Sequence, residues 1–407
     1  MVLIKEVSAK TISDSRKEKT ILVSIKTNAG NFSASSPSGK STGKYESKPY
    51  KKNILEDIKS VNSLKKYFTS ENIENFDDLR RVEDIVDGHI GANTLFALES
   101  AVLKALAKKQ DKEIWQLINT QARKFPRLVG NCIGGGKHSI SEKKPDFQEF
   151  LLIPNLKSVK ESFELNKKAK KEAEYLLKKI DNKFDSKKDY EDSWITSLNE
   201  KEILESLKKL NNPLGIDVAS STFYKRKKYH YQNPKLARTR DEQIEYLGNL
   251  IKNYDIFYIE DPFDEEDFES FSKILKKFPN SLIVGDDLIV TNHKRLERAI
   301  KEKSINAVII KPNQCGSLLE VKKVCELAKR NNIRLVFSHR AGETEESILA
   351  DLAFGFQADF LKCGITGKER EAKIKRLIEI EKSLEWINLL LIKTSWLQTW
   401  LKFSLGL

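Results

Sequence analysis

Six short apolar runs in the second half of this chain each close on an ionisable residue, and that pattern restricts the fold more than any other feature. The runs are Leu214–Val218 (LGIDV), Ile256–Glu260 (IFYIE), Ser281–Asp286 (SLIVGD), Ala307–Lys311 (AVIIK), Arg334–His339 (RLVFSH) and Asp359–Lys362 (DFLK). Their first residues lie about 25 to 42 positions apart, the length of a strand with a crossover helix. A string of such units implies parallel strands, in either a doubly wound sheet or a closed barrel. The strand ends decide for the barrel. Asp217, Glu260, Asp286, Lys311, His339 and Lys362 stand at or just before the C-terminal ends of the runs, and a barrel gathers those ends around one mouth. A single acid after a strand is usually a helix cap, but six ionisable residues at equivalent places exceed what capping explains.

The first third reads differently. Thr20–Thr27 alternates like a half-buried strand, Asn28–Gly30 signals a hairpin turn, and Gly30–Ser36 continues the pairing. From Asn53 the period becomes helical, ending in Asn93–Lys109, whose Leu, Ala and Val positions form a buried face. The fold expected is therefore α/β: a smaller α+β unit over 1–125, a (β/α)8 barrel over 126–383, and an atypical apolar tail over 384–407. The tail, Leu384–Leu407, is interrupted by Asn388, Lys393 and Gln398 and falls short of a transmembrane span. Trp386, Leu389, Leu390, Lys393, Leu397, Trp400 and Leu401 share one helical face, which fits an interfacial or partner-docking helix, a helix packed on its own barrel, or a translated frameshift.

Composition narrows the function classes. A hydrophobic fraction of 39% excludes a mostly disordered chain. The net charge of +13 is spread along the sequence; basic runs such as Lys167–Lys171 and Lys225–Lys228 alternate with Glu-rich helical stretches and read as solvated faces, so no nucleic-acid partner is required. Cys132, Cys315, Cys325 and Cys363 have no paired spacing, which fits reduced thiols. With no signal-peptide core in Met1–Lys10, a cytoplasmic protein is expected.

The strand-end constellation points to metal-assisted proton chemistry. Asp217, Glu260 and Asp286 supply hard oxygen ligands of the kind Mg²⁺ prefers. Lys311, Lys362 and Arg340 crowd the same mouth, and mutual repulsion is expected to lower a lysine pKa, as a proton-abstracting lysine needs. The combination suits removal of a proton next to a carboxylate.

The chain resembles the enolase family through a series of segments in the family's order. They are ISDSR at Ile12–Arg16, SPSGKSTGKYE at Ser36–Glu46, IGAN at Ile90–Asn93, GGGKHS at Gly134–Ser139 and FQEFLLIP at Phe147–Pro154. The series continues with GIDVASSTFY at Gly215–Tyr224, YIEDPFDEEDFE at Tyr258–Glu269, VGDDLIVTN at Val284–Asn292, IIKPNQCGSLLE at Ile309–Glu320, FSHRAGETEES at Phe337–Ser347 and LKCG at Leu361–Gly364. The resemblance implies a small α+β domain, a modified barrel and a Mg²⁺-dependent lyase interconverting 2-phosphoglycerate and phosphoenolpyruvate, assembled as a homodimer or higher homo-oligomer. It matches Asp217, Glu260 and Asp286 to the ligands of a first Mg²⁺, and Ser41 to a loop residue that closes over the site and helps bind a second. It matches Lys311 to the base, Lys362 and Arg340 to groups neutralising carboxylate and phosphate, and His138, Gln148, Glu149 and His339 to polar groups around the substrate. A related acid-sugar dehydratase is disfavoured by the paired GKST and GGGKH loops.

Departures from the family pattern frame a second reading. The acid-bearing DEGG loop is represented by Asp189–Trp194 (DYEDSW), where Glu191 matches the acid and Asp192 and Ser193 replace both glycines. Ala341 replaces a serine expected near phosphate, and the segment after Glu46 is short. These changes, with the tail, suggest as alternative a catalytically impaired paralogue acting as a binding or scaffold protein.

Overall fold

The computed structural model describes residues 1–40, 43–69 and 71–385. Ser41 and the tail beyond 385, with the helical face expected there, lie outside the described residues.

The N-terminal part is an antiparallel sheet backed by helices. Its strands are β1 (Val2–Ser13), β2 (Lys19–Thr27), β3 (Gly30–Ser35) and β4 (Asn72–Ile73), in the order β3-β2-β1-β4. The expected hairpin is present, with Thr27 opposite Gly30. Strand β1 was not anticipated, because a bulge between Ile4 and Glu6 breaks the alternation of Val2, Ile4 and Val7, its buried residues. Asn53 starts the first helix, Ile54–Phe68, by accepting from the Leu55 and Glu56 amides at 3.0 and 3.1 Å. Helix Ala92–Gln110 buries its Ala and Val positions and its leucines other than Leu95, which is half-buried.

The barrel follows. A ring is closed by β5 (Arg127–Gly134), β6 (Glu149–Leu152), β8 (Leu214–Asp217), β12 (Ile256–Glu260), β13 (Leu282–Gly285), β14 (Ala307–Ile310), β15 (Arg334–Ser338) and β16 (Phe360–Lys362), with β16 pairing back onto β5. Short β7 (Trp194–Ile195) extends β5, and β9 (Tyr224–Lys225), β10 (Lys228–Gln232) and β11 (Lys235–Arg238) form a separate antiparallel sheet. All six anticipated runs are barrel strands. The ring is not wholly parallel: β6 is antiparallel to both β5 and β8. The link from Gly134 to Glu149 contains no helix, so the chain turns straight back instead of crossing over.

Strand parity then builds the site. Val129, Leu151, Tyr258, Val284, Ile309, Val336 and Phe360 pack together as the apolar filling of the barrel. Because side chains alternate, the residue two places further on points the same way. Stepping from Val129 and Leu151 toward the mouth reaches Asn131 and Glu149; from Tyr258, Val284, Ile309 and Phe360 it reaches Glu260, Asp286, Lys311 and Lys362. Intervening residues such as Ile216, Ile259, Val308 and Leu361 pack in the larger core shared with the helices. No helix among the described residues is long and apolar enough to cross a membrane.

Candidate active site

A small polar cavity at this mouth is lined by His138, Gln148, Glu149, Glu191, Asp217, Lys311, His339, Arg340 and Lys362, with Lys40 and Ala341 at its wall. A roomier groove of about 630 Å³ runs between Ser47 and Lys323, but the strand ends do not reach it. The ionisable strand-end residues therefore converge on the smaller space.

Register aligns three acids across neighbouring strands, Glu149 opposite Asp217 and Asp217 opposite Glu260. Such a row is repulsive unless a cation compensates it. Here the Lys362 ammonium does so, at 3.0 Å from Glu149 Oε2, 3.1 Å from Asp217 Oδ2 and 3.0 Å from Glu260 Oε1. Lys311 pairs with Asp286 Oδ2, while Gln314 Nε2 donates to Asp286 Oδ1 at 3.1 Å. The expectation of a lowered lysine pKa is thereby corrected. Burial works against both ammoniums, yet Asp286 raises Lys311, and Asp217, Glu149 and Glu260 raise Lys362 well above the usual range.

The carboxyls respond in kind. Burial, then the charge of Asp217, pushes Glu260 well above the ordinary range, although Tyr258 OH donates to its Oε2 at 2.6 Å. Burial raises Glu149 to about 7. Asp286 is lowered: burial opposes this, but the Lys311 charge and hydrogen bond prevail.

Glu191 enters from the loop before β7. Its carboxyl is buried, accepts from Asn131 Nδ2 at 3.1 Å, and lies 3.7 Å from both His138 Nδ1 and His339 Nε2. Those contacts are not ion pairs, because burial pushes His138 down to about 4 and His339 well below its usual value, leaving both rings neutral. Burial raises Glu191 too, with Arg370 opposing and Asp189 assisting. The Asp189 carboxylate shapes the turn, accepting from the Glu191 and Ser193 amides at 2.8 and 2.9 Å and from Ser193 Oγ.

Arg340 is already engaged. It pairs with Glu46 at 3.0 and 2.9 Å and donates to Asn313 Oδ1 at 3.2 Å. Gln148 Nε2 reaches Asp217 Oδ2 at 3.3 Å, whereas Gln148 Oε1, His138 Nδ1 and His339 Nδ1 are buried without a hydrogen-bond partner. The cavity thus gathers every site residue anticipated from sequence except Glu260 and Asp286, which adjoin it through Lys362 and Lys311, and Ser41.

The donor set fits a divalent cation. The carboxylates are buried hard oxygens already balanced by cationic lysines, and two groups of side chains have ligand atoms within 4.8 Å of one another: His138, Glu149 and Glu191, and Asp261, Asp286 and Asp287. Asp261 is committed to the turn after β13, accepting from the Asp286 and Asp287 amides at 3.0 and 2.7 Å. Asn131, Glu46, Asp261 and Asp287 escaped sequence reasoning. Asn131 shares its parity with Val129, and the two aspartates simply double acids already recognised, so those signals were present; the pairing of Glu46 with Arg340 has no local signal.

The ring of strands and its charged mouth define a (β/α)8-barrel enzyme with a carboxylate and lysine site suited to a divalent metal. Residues 123–388 match the family model for the enolase C-terminal TIM barrel domain, and residues 4–118 match that for the enolase N-terminal domain. Among curated proteins, the enolase of Methanosphaera stadtmanae is 34% identical over 94% of this chain and 97% of its own. That of Natronomonas pharaonis is 34% identical over 94% and 99%, and that of Pyrobaculum aerophilum 37% over 81% and 80%. The chain belongs to the enolase family.

Proposed function

We propose that this protein is a Mg²⁺-dependent lyase that interconverts 2-phospho-D-glycerate with phosphoenolpyruvate and water. The observation that carries this reading is that Lys311 and Glu191, a carboxyl raised by burial, line one cavity together with Lys362 and Arg340. Lys311 accepts the proton from C2 of 2-phosphoglycerate. The C–H electron pair moves first onto the substrate carboxylate; in a second step it returns to form the C2–C3 double bond as the C3–O bond breaks, and Glu191 gives its proton to the departing hydroxide as water. Lys311 must first part from Asp286 and lose its proton, so substrate entry has to rearrange that contact. Lys362 and Arg340 supply positive charge toward carboxylate and phosphate, and His138, Gln148, Glu149 and His339 provide polar contacts. Asp217, Glu260 and Asp286 would hold one Mg²⁺ and Ser41 would join a second; when bound, the ions supply charge neutralisation for the dianionic form of the substrate.

The test is phosphoenolpyruvate formation from 2-phosphoglycerate by the folded full chain. The expected result is turnover abolished by EDTA and restored by Mg²⁺. Folded protein that forms no phosphoenolpyruvate with Mg²⁺ overturns the reading and leaves the binding or scaffold paralogue.

A further inference from the structure

The basic run Lys167–Lys171 is not a uniformly solvated face. It lies in the helix Val159–Ile180, whose buried positions Val159, Ser162, Phe163, Asn166, Ala169, Lys170, Ala173 and Leu177 follow the helical period. Lys168 and Lys171 are exposed, but Lys170 is only 3% exposed. A lysine on an apolar helix face requires partners for its ammonium. Lys170 Nζ has three: Asp192 Oδ2 at 3.0 Å, the Asp192 carbonyl, and Thr366 Oγ1. The carbonyl of Lys170 accepts from Trp194 Nε1 at 3.0 Å. One turn of helix therefore grips the loop on both sides of Ser193.

The gripped residue is conformationally unusual. Asp192 has φ +65°, a left-handed conformation that glycine adopts freely and an aspartate adopts only with support. Support is abundant: besides Lys170, its carboxylate meets Lys188 Nζ at 3.0 and 3.1 Å and the Thr366 hydroxyl. Asp192 directly follows Glu191. Whatever fixes its backbone also fixes the direction in which the Glu191 side chain leaves the loop toward Asn131.

We propose that Lys170, together with Thr366, is a positioning residue for Glu191, locking the left-handed turn at Asp192 so that the acid stands in the cavity where the leaving hydroxyl is protonated. Lys170 is not among the cavity's lining residues and acts through Asp192. The inference rests on the assignment of Glu191 as the acid. Proton abstraction by Lys311 and protonation by Glu191 are separate events, so a defect confined to the loop impairs the second and spares the first.

The experiment follows two rates for each protein, phosphoenolpyruvate formation and exchange of the C2 proton of 2-phosphoglycerate with D2O by NMR, in the presence of Mg²⁺. Lys170→Met is expected to lower kcat for dehydration about 30- to 100-fold, with KM and C2 exchange within about threefold of the unmodified chain, as befits a displaced acid. Adding Asp192→Gly, which needs no lock for φ above zero, is expected to restore dehydration to within about fivefold. Thr366→Val, which removes one member of the lock, should lose about fivefold by the same logic. Dehydration by K170M at the unmodified rate, a parallel fall of exchange and dehydration, or no recovery in folded K170M/D192G overturns the proposal. If K170M alone does not fold, the double variant and T366V decide it: recovered dehydration in the former with a selective loss in the latter supports the lock, and any other pair of results rejects it. Glu191→Gln separates this proposal from the reading beneath it. Undiminished dehydration by E191Q removes Glu191 as the acid, whereas its loss in E191Q with no loss in K170M removes only the lock.

Discussion

The mouth of the barrel is built in two ways, and the two halves differ in what holds them. Asp217, Glu260, Lys311 and Lys362 sit at strand ends, where parity and register determine direction before any side-chain contact forms. Glu191, His138 and Lys40 sit on connections, where direction depends on turns that other residues must stabilise. The strand half carries its charges as matched ions, with Lys362 among three acids and Lys311 on Asp286. The loop half carries the neutral His138 ring and a Glu191 carboxyl that burial raises with no lysine ion-paired to it, whereas the raised Glu149 and Glu260 on the strands are paired with Lys362. A strand-end substitution should therefore remove chemistry without moving the framework, whereas a loop substitution moves geometry.

Lys311→Ala gives the largest contrast. The loss of the proposed base, directed by β14, should lower turnover by about a thousandfold or more in a chain that still folds, with some loss of stability because Asp286 is left without its ammonium partner. The readouts are phosphoenolpyruvate formation and thermal melting, and turnover at the original rate removes Lys311 as the base. Glu191→Gln comes next, with an expected loss of about 100- to 1000-fold in dehydration. In the proposed mechanism the loop half acts after C2 deprotonation, so exchange of the C2 proton should persist in E191Q and vanish in K311A. Loss of exchange in both would erase the division between the halves.

The same division governs what could be read from the sequence. Strand-end residues were legible because each apolar run ends in phase with an inward-facing residue, so Asp217, Glu260, Asp286, Lys311 and Lys362 could be placed without knowing the turns. Reversal of β6 was not, since nothing in the apolar run Phe150–Leu152 shows its direction; only the missing helix between Gly134 and Glu149 does. The raised pKa of Lys311 was misread because the cations were counted and the distance to Asp286 was unknown. Loop features depended on remote partners. Asp192 stands where the family pattern has a glycine, and its left-handed turn is held by Lys170, which lies in a run whose charge masks its helical phase.

Stability should separate the halves by pH. Glu200, at the start of helix Glu200–Leu207, anchors the loop that carries His138 by accepting from the Asp146 amide at 2.6 Å. Burial raises its carboxyl from 4.5 to about 7, so the folded state holds the proton more tightly than the unfolded chain. The favourable contribution is full below the unfolded value and is lost as pH rises through about 7, above which the fold bears a buried charge. Glu200→Gln keeps an acceptor for Asp146 and has no charge to bury. It should be more stable than the unmodified chain by about 1–3 kcal/mol at pH 8, with the gap closing toward pH 4.5. Chemical denaturation at pH 5 and pH 8 measures this, and an equal difference at both would show that the carboxyl's proton does not matter.

The smallest effect is expected where the halves meet. Ala341 lies beyond the end of β15 and lines the cavity, with its carbonyl held by Arg370 Nη2 at 2.8 Å. The backbone is thus fixed as at a strand end, but the side chain offers no donor to an anion. Lys40 lines the same cavity from the opposite domain's loop, its ammonium 4.4 Å from the centre of the Tyr190 ring. Ala341→Ser adds one hydroxyl to a position that cannot easily shift, and one hydrogen bond to phosphate should lower KM about two- to tenfold with kcat unchanged. If the backbone here behaved like a loop, kcat would change with KM, because movement at 341 would carry Arg340 and its contact with Glu46. An unchanged KM would mean that the phosphate is held on the Lys40 side and that the hydroxyl at 341 has no acceptor within reach. Steady-state kinetics on this single variant therefore report whether the rigid part of the mouth extends past the strand end.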